Sequence, residues 1–103
     1  MKSDSESYNN AGSKSVKQVD AINITNDIHK LPLTGEPNSV TKNYKNGKLD
    51  SERYYDENGN VYLDIDYTDH GNRKTHPHVP HEHKYKNGIR QDEEEINKWV
   101  KKN

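Results

Sequence analysis

The sequence predicts an α+β domain in which a small antiparallel β-meander is preceded by a disordered N-terminal tail and followed by a C-terminal helix. Two Asn-Gly pairs, at 46–47 and 58–59, separate segments of alternating apolar and polar residues, which is the strongest short-range signal for a β-hairpin. Near the C-terminus, apolar residues recur at helical spacing. Residues 1–20 carry too few apolar side chains to form a stripe and are expected to be a flexible tail or linker, so the single domain spans residues 21–103.

The strands of the meander follow from the Asn-Gly pairs and from the alternation. In the third strand the odd-numbered residues are apolar and the even-numbered ones more polar, so the odd positions should face the core. A strict two-residue turn at 58–59 would put Tyr55 on the opposite face from Leu63. One extra residue restores a common apolar face, so we expect a bulged turn with Gly59 at positive φ. The three strands are predicted near residues 39–45, 48–56 and 60–68.

The flanks of the meander are assigned from shorter signals. Residues 21–39 form either a short helix or a strand, followed by a loop that packs on the fold, because periodicity does not separate the two. A further Asn-Gly pair at 87–88 indicates the same turn chemistry again. The C-terminal helix is predicted from Asp92 as its cap, Glu95 at the capping-box position and an apolar stripe. The stripe consists of Ile96, Trp99 and Val100.

The composition limits both the core and the chemistry. The chain has 103 residues, 26% hydrophobic residues and a mean hydropathy of -1.46, which allows at most one domain with a small core. Its 16 basic and 17 acidic residues give no overall basic field to attract nucleic acid. Because no apolar run is long enough for a membrane span or a signal peptide, the chain is expected to be soluble. The absence of cysteine excludes disulfides, thiolate catalysis and cysteine-bound zinc, which leaves His, Asp and Glu as metal ligands.

Five of the six histidines lie within the segment DHGNRKTHPHVPHEHKY, at residues 69–85. The segment admits three interpretations, of which the first is a solvated polar loop without further function. In the second, histidines spaced i, i+2 on an extended strand join a carboxylate from the exposed face of the third strand to bind zinc or another divalent ion. The histidines with this spacing are His76 with His78 and His81 with His83, and the exposed carboxylates are Asp64 and Asp66.

The third interpretation is metal-independent acid and base catalysis on RNA. Cleavage beside a 2′-hydroxyl needs a base, an acid and a cation for the developing phosphate charge. Histidine suits both proton roles because its unperturbed pKa is about 6.5. Basic side chains would bind the phosphate and tyrosines would stack on bases. The candidates for these roles are Arg53, Arg73, Lys74 and Lys84 for phosphate, and Tyr54, Tyr62 and Tyr85 for stacking.

At DIDYTDHGNRKTHPHVPHEHKY the sequence resembles small C-terminal modules of bacterial polymorphic toxins and phage minor head proteins. In those modules an Asp-rich strand runs into Asp-His-Gly-Asn, followed by His-Pro-x-x-Pro-His-x-His and an aromatic residue. The resemblance covers about residues 29–85, and departs from the pattern at Arg73, where the pattern has proline, and at Tyr85, where it has tryptophan. The matching residues are Asp64, Asp66, Asp69, His70, Gly71, Asn72, His76, Pro77, Pro80, His81 and His83. The resemblance implies a nuclease effector attached to a longer delivery protein.

The leading hypothesis is therefore a ribonuclease-type effector module that needs no cofactor. We expect His70 to transfer protons together with His81 or His83, and Asp66 to orient one of these histidines. The expected substrate contacts are Arg53, Arg73, Lys74, Tyr62 and Tyr85.

Two alternatives remain at this point. One is a zinc-type nuclease or metal-binding module, whose ligands would be His76, His81, His83 and Asp64. The other is a non-enzymatic interaction domain of a phage or secreted assembly. The effector hypothesis implies RNA and a cognate immunity protein as partners, and action in the cytoplasm of a bacterial cell, reached as part of a longer secreted or phage protein.

Overall fold

The described part of the chain folds into one six-stranded mixed β-sheet whose strands lie in sequence order. The computed structural model describes residues 10–27, 29, 31–68 and 80–96. The first two strands are parallel and every later neighbouring pair is antiparallel. In these residues there is no helix long and apolar enough to cross a membrane. The strands are β1 (Ala21–Thr25), β2 (Ser39–Lys45), β3 (Lys48–Tyr55), β4 (Val61–Asp66), β5 (His81–Lys86) and β6 (Ile89–Glu95).

The predicted α+β class is wrong, because residues 89–95, where the helix was expected to begin, form a strand of the sheet. Asp92 and Glu95, expected to cap a helix, lie within β6, which pairs with β5. Asn87 and Gly88 have φ of 54° and 79°, as a two-residue type I′ hairpin turn requires. The cross-strand hydrogen bonds of this hairpin outweigh a local capping signal worth about 1 kcal/mol. Residues 97–103 lie outside the described part of the chain.

The three predicted strands of the meander are confirmed as β2, β3 and β4. Gly59 has a φ of 79°, as expected, and the register shifts between Tyr54 and Tyr55. Tyr55 pairs with Val61, and the backbone nitrogen of Asp56 donates to the carbonyl oxygen of Asn60, so the turn has three residues, 57–59, and is bulged as expected. Tyr54 pairs with Leu63, so Tyr62 is a second extra residue, within β4, and it cancels the effect of the turn. The expectation that Tyr55 would share a face with Leu63 is therefore wrong. It is Tyr54 that packs with Leu63 in the core.

One side of the sheet, which we call the apolar face, carries the hydrophobic core. Its central members are Val40, Tyr54, Leu63 and Ile65, each at most 1% exposed. Ile96 and part of the N-terminal segment pack against them, through Ala11, Val16 and Val19. Residues 10–20, within the segment predicted to be a flexible tail, thus cover the apolar face, and residues 1–9 lie outside the described part of the chain.

The apolar face also buries charged side chains, in pairs that satisfy one another. Lys42 and Glu52, only 2% and 0% exposed, form an ion pair of 2.7 Å. Glu52 Oε1 accepts hydrogen bonds from the hydroxyls of Tyr54 at 3.1 Å and Tyr67 at 2.6 Å. Because a buried charge is tolerated only when it is paired and hydrogen-bonded, these contacts allow a chain with few apolar residues to close its core.

A second buried carboxylate on this face ties down the N-terminal segment. Glu82 is 2% exposed and accepts hydrogen bonds from the hydroxyls of Ser13 at 2.5 Å and Ser15 at 2.9 Å. The backbone nitrogen of Lys17 donates to the hydroxyl of Tyr62 at 2.8 Å. Residues 10–20 are thus fixed by polar contacts as well as by their apolar side chains.

Replacing Gly59 by alanine should destabilise the fold more than the same change at Gly47. Both glycines have a φ of 79°, but a Cβ at Gly59 would lie 2.5 Å from the carbonyl oxygen of Gly35, while one at Gly47 meets nothing within 4 Å. We expect Gly47→Ala to cost about 1 kcal/mol through backbone strain, and Gly59→Ala about 3 kcal/mol because the clash adds to it. Urea unfolding measures both, and equal losses would contradict the close approach of the two loops.

Breaking the buried ion pair should be far more costly than breaking an exposed one. Lys42→Met leaves Glu52 buried without its cation, which should lower the free energy of unfolding by about 3–5 kcal/mol. The matched control is Lys84→Met, which removes a pair of 3.5 Å with Glu94 whose side chains are 48% and 46% exposed, and should cost at most about 1 kcal/mol. Urea unfolding measures the free energy of unfolding of both variants. A loss below about 1 kcal/mol for Lys42→Met would refute the role given to the buried pair.

Candidate metal centre

The opposite side of the sheet, which we call the histidine face, carries the predicted functional residues of β4 and β5. The two strands are antiparallel neighbours, and their register places Asp66 opposite His81 and Asp64 opposite His83. Directly opposed residues point to the same side of a sheet, as do residues two apart on one strand. The fold therefore brings two carboxylates and two imidazoles together, although β4 and β5 are separated by 14 residues in the sequence.

Asp66, His81 and His83 converge on one point. Asp66 Oδ2 lies 3.0 Å from Nε2 of His81 and 3.6 Å from Nε2 of His83. One potential ligand atom from each residue lies within 4.8 Å of the others. In a tetrahedral site with bonds of about 2.0–2.1 Å, neighbouring ligand atoms are about 3.3 Å apart. The two measured separations bracket that value, so the three residues form a candidate divalent-metal site.

The hydrogen bond on the far side of His83 fixes its tautomer. His83 Nδ1 lies 2.8 Å from the carbonyl oxygen of Gln91, which can only accept a hydrogen bond, so Nδ1 carries the proton. In the neutral ring Nε2 is then a bare acceptor, and it faces the Asp66 carboxylate, which is also an acceptor when ionised. At 3.6 Å these two atoms are beyond hydrogen-bond distance, and a divalent ion with bonds of about 2.0–2.1 Å fits between them. A backbone carbonyl on the second ring nitrogen is the usual support of a metal-binding histidine.

Arg90 and Glu93 of β6 complete the surroundings of the cluster. Arg90 Nη2 donates to Asp66 Oδ2 at 3.2 Å, and its Nε lies 3.5 Å from Asp64 Oδ2. Glu93 lies opposite His83 in the register, and its Oε1 is 3.7 Å from Nε2 of His81. Glu95 lies opposite His81 in the same register, so two carboxylates and one cation of β6 border the cluster.

Asp64 is held by a separate polar network. The Arg53 guanidinium donates to both oxygens of Asp64 at 2.8 Å, and to the carbonyl oxygen of Leu31. The Tyr85 hydroxyl donates to Asp64 at 2.8 Å and accepts from Arg53 at 2.9 Å. The hydrogen bond to Asp64 raises the pKa of Arg53 against the opposing effect of burial, so this guanidinium keeps its charge. The network is a rigid support beside the cluster.

The sequence-predicted site residues meet different outcomes. The expectation that Asp64 and Asp66 lie on an exposed face is wrong, since each is only 4% exposed. Arg53 and Tyr85, expected to bind substrate, are engaged with Asp64, and Tyr62 packs against the apolar core. Four further candidates lie outside the described residues, namely His70, Arg73, Lys74 and His76. The described candidates that come together are Asp66, His81 and His83.

Sequence reasoning missed Arg90, Glu93 and the Gln91 carbonyl, all of which belong to β6. The signal that could have found them is the Asn-Gly pair at 87–88, which predicts a hairpin as strongly as the two earlier pairs do. A hairpin at that point places β6 beside β5 and therefore beside the histidines.

Comparison of the chain with protein-family models, with curated proteins and with solved structures gives no match. The arrangement of Asp66, His81 and His83, with the groups around them, is therefore the feature that bears on function.

Two buried tyrosines should make the protein lose stability at alkaline pH. Burial, followed by the nearby Asp64 carboxylate, raises the pKa of Tyr85 to about 12, and burial together with Glu52 raises that of Tyr67. An unfolded tyrosine has a pKa of about 10. Above that pH the unfolded chain releases protons that the folded chain retains, so the free energy of unfolding falls as pH rises from about 10 towards 12.

Urea unfolding at pH 9 and pH 11 measures this loss. Tyr67→Phe and Tyr85→Phe should each lose less stability between the two pH values than the wild-type protein does, because each lacks one of the retained protons. Tyr44→Phe, outside both networks, is the matched control and should behave as wild type. The explanation fails if all three variants lose as much as the wild-type protein.

Proposed function

We propose that this chain is a divalent-metal nuclease module that acts on RNA, with Asp66, His81 and His83 as the metal ligands. The observation that carries the proposal is the convergence of two imidazole nitrogens and one carboxylate oxygen on a single point. Two histidines and one carboxylate are a frequent ligand set of zinc and of other first-row divalent ions, and they leave coordination positions for water or substrate.

Burial favours a metal over a direct proton-transfer role for the histidines. The His81 side chain is 0% exposed and that of His83 is 10% exposed. A general acid or base must come within hydrogen-bond reach of the substrate, or within one water of it, whereas a metal ligand has only to reach the ion. Burial of the two histidines therefore favours a metal-dependent nuclease over the metal-independent ribonuclease expected from the sequence.

The residues around the ligands have separate tasks in this proposal. Gln91, through its carbonyl, holds the His83 ring with Nε2 directed at the site. Arg53 and Tyr85 fix Asp64, the cross-strand neighbour of His83. A divalent ion in such a site polarises a phosphoryl oxygen and stabilises the charge that develops during phosphodiester cleavage.

The resemblance of residues 29–85 to polymorphic-toxin and phage-head modules supports a nuclease effector as the setting for this chemistry. In that setting we propose that the module acts in a bacterial cytoplasm after delivery on a longer protein, and that the producing cell protects itself with an immunity protein. Nuclease chemistry and metal binding are properties of this chain alone, so they can be tested without the delivery protein.

Metal binding should be lost when a ligand is replaced, and it can be measured apart from activity. Chelator-treated protein is titrated with Zn²⁺ in competition with a chromophoric chelator. Because the loss of a supporting group alone weakens metal binding about 10–100-fold, Asp66→Asn and His83→Ala should each weaken it at least about 100-fold. His29→Ala, at an exposed histidine outside the cluster, is the matched control and should bind as wild type. Unchanged affinity in both ligand variants would refute the metal site.

The same proteins test the reaction on total RNA and on duplex DNA. We expect RNA loss that needs the metal, stops in EDTA, returns when Zn²⁺ or Mn²⁺ is added, and is absent in Asp66→Asn. Cleavage of duplex DNA under the same conditions would show that DNA is also a substrate, and cleavage of DNA alone would replace RNA as the proposed substrate. Cleavage of neither polymer at any metal concentration would contradict the nuclease proposal while leaving the metal site to the titration.

A second candidate function is the metal-independent ribonuclease. The observation that favours it is the hydrogen bond of 3.0 Å between His81 Nε2 and Asp66 Oδ2, because a carboxylate that orients an imidazole supports acid and base catalysis. Cleavage of RNA that survives EDTA, follows a bell-shaped pH profile and vanishes in His81→Ala would select this function.

A further inference from the structure

Arg90 is placed differently from the other arginine of the described sheet. The Arg53 side chain is 15% exposed, and its nitrogens are engaged by Asp64, by the Leu31 carbonyl and by the Tyr85 hydroxyl. Arg90 is 46% exposed. Its contacts with Asp64 and Asp66 use Nε and Nη2, which form one edge of the guanidinium. Nearly half of the Arg90 side chain is therefore exposed beside the candidate metal ligands.

A small cavity adjoins this arginine. It has a volume of about 170 Å³. Its charged lining residues are Arg53, Arg90, Asp50, Glu52, Asp64 and Asp66. This space is sufficient for several water molecules or for a phosphate group.

The charge beside the cavity depends on whether an ion is bound. Within the described part of the chain, Arg53 and Arg90 face the carboxylates of Asp64, Asp66, Glu93 and Glu95, so the surroundings are negative without an ion. A divalent ion between Asp66 and the two histidines would offset two of these negative charges. An anion would then meet less repulsion, and Arg90 is the exposed cation at the border of the site.

We propose that Arg90 is the substrate-binding residue of the site and that it contacts one phosphodiester group of a single-stranded RNA. This inference depends on the proposed function, because it gives that metal centre its substrate contact. Arginine suits the task because its planar fork binds two phosphate oxygens at once, while its Nε and Nη2 edge stays on the aspartates. Of the phosphate contacts predicted from the sequence, Arg53 is engaged by Asp64, and Arg73 and Lys74 lie outside the described residues.

The test separates RNA binding from metal binding and from cleavage. The probe is a fluorescently labelled 10-nucleotide 2′-O-methyl RNA, which lacks the hydroxyl needed for self-cleavage, and its binding to Zn²⁺-treated protein is followed by anisotropy. Arg90→Ala should weaken binding about 10–100-fold, as expected for the loss of charge-assisted hydrogen bonds. Arg90→Lys should be intermediate, because it keeps the charge without the fork. Lys86→Ala, at an exposed lysine on neighbouring β5, is the matched control and should bind within about 2-fold of wild type.

The Zn²⁺ affinity of the same variants distinguishes substrate binding from a structural role. Removing a positive charge next to Asp66 should leave the zinc affinity of Arg90→Ala unchanged or raise it. A loss of zinc together with RNA would mean that Arg90 only positions Asp66, and would overturn the proposal, as would RNA binding equal to wild type in Arg90→Ala. If the oligonucleotide binds through Arg90 and yet no RNA is cleaved with any metal, the nuclease proposal fails and the Arg90 phosphate site stands.

Discussion

The register of β3 against β4 is the constraint on which the rest of this structure depends. Arg53 lies directly opposite Asp64 and holds both of its carboxylate oxygens. With that pair in place, Asp66 falls two residues further along the same face and meets His81. Slipping β4 by one residue would turn Asp66 towards the apolar face and bring Ile65 to the histidines, because side chains alternate along a strand. The extra residue Tyr62 in β4 sets this register, after a turn that places Gly59 against Gly35.

The polar composition of the chain is compatible with a packed sheet because its charges are buried in pairs on both faces. The apolar face contains Lys42 with Glu52, and the histidine face contains Arg53 with Asp64. Desolvating such groups costs free energy that their mutual attraction only partly offsets, so these pairs add little net stability. Their contribution is specificity, since a shifted register would leave buried charges without partners. For the histidine face, that specificity is what fixes the geometry of the cluster.

The sequence predicted the parts of the fold that are encoded locally. Alternation and Asn-Gly pairs located β2, β3 and β4, and the i, i+2 spacing placed His81 and His83 on one face. The pairing of Asp66 with His81 could not be derived, because the segment between β4 and β5 is too long for a turn type to set the register. Arg90 was missed for a different reason. Asp92 and Glu95 satisfy a helix-capping pattern, and the hairpin contacts that overrule it are made with a strand already held in the sheet.

On the histidine face, buried side chains form the candidate ion site and an exposed arginine borders it. His81 is fully enclosed and shares Asp66 with His83, so a cation bound there would be held by three side chains on two adjacent strands. Strands joined by a ladder hold ligand atoms more rigidly than a loop can, which favours a fixed site over adventitious chelation. Arg90 comes from the next strand and reaches solvent at the border of the same cluster. In the proposed function, an ion at the centre would offset part of the negative charge beside Arg90. The ion and the phosphate would then be bound from different strands, yet both would depend on Asp66.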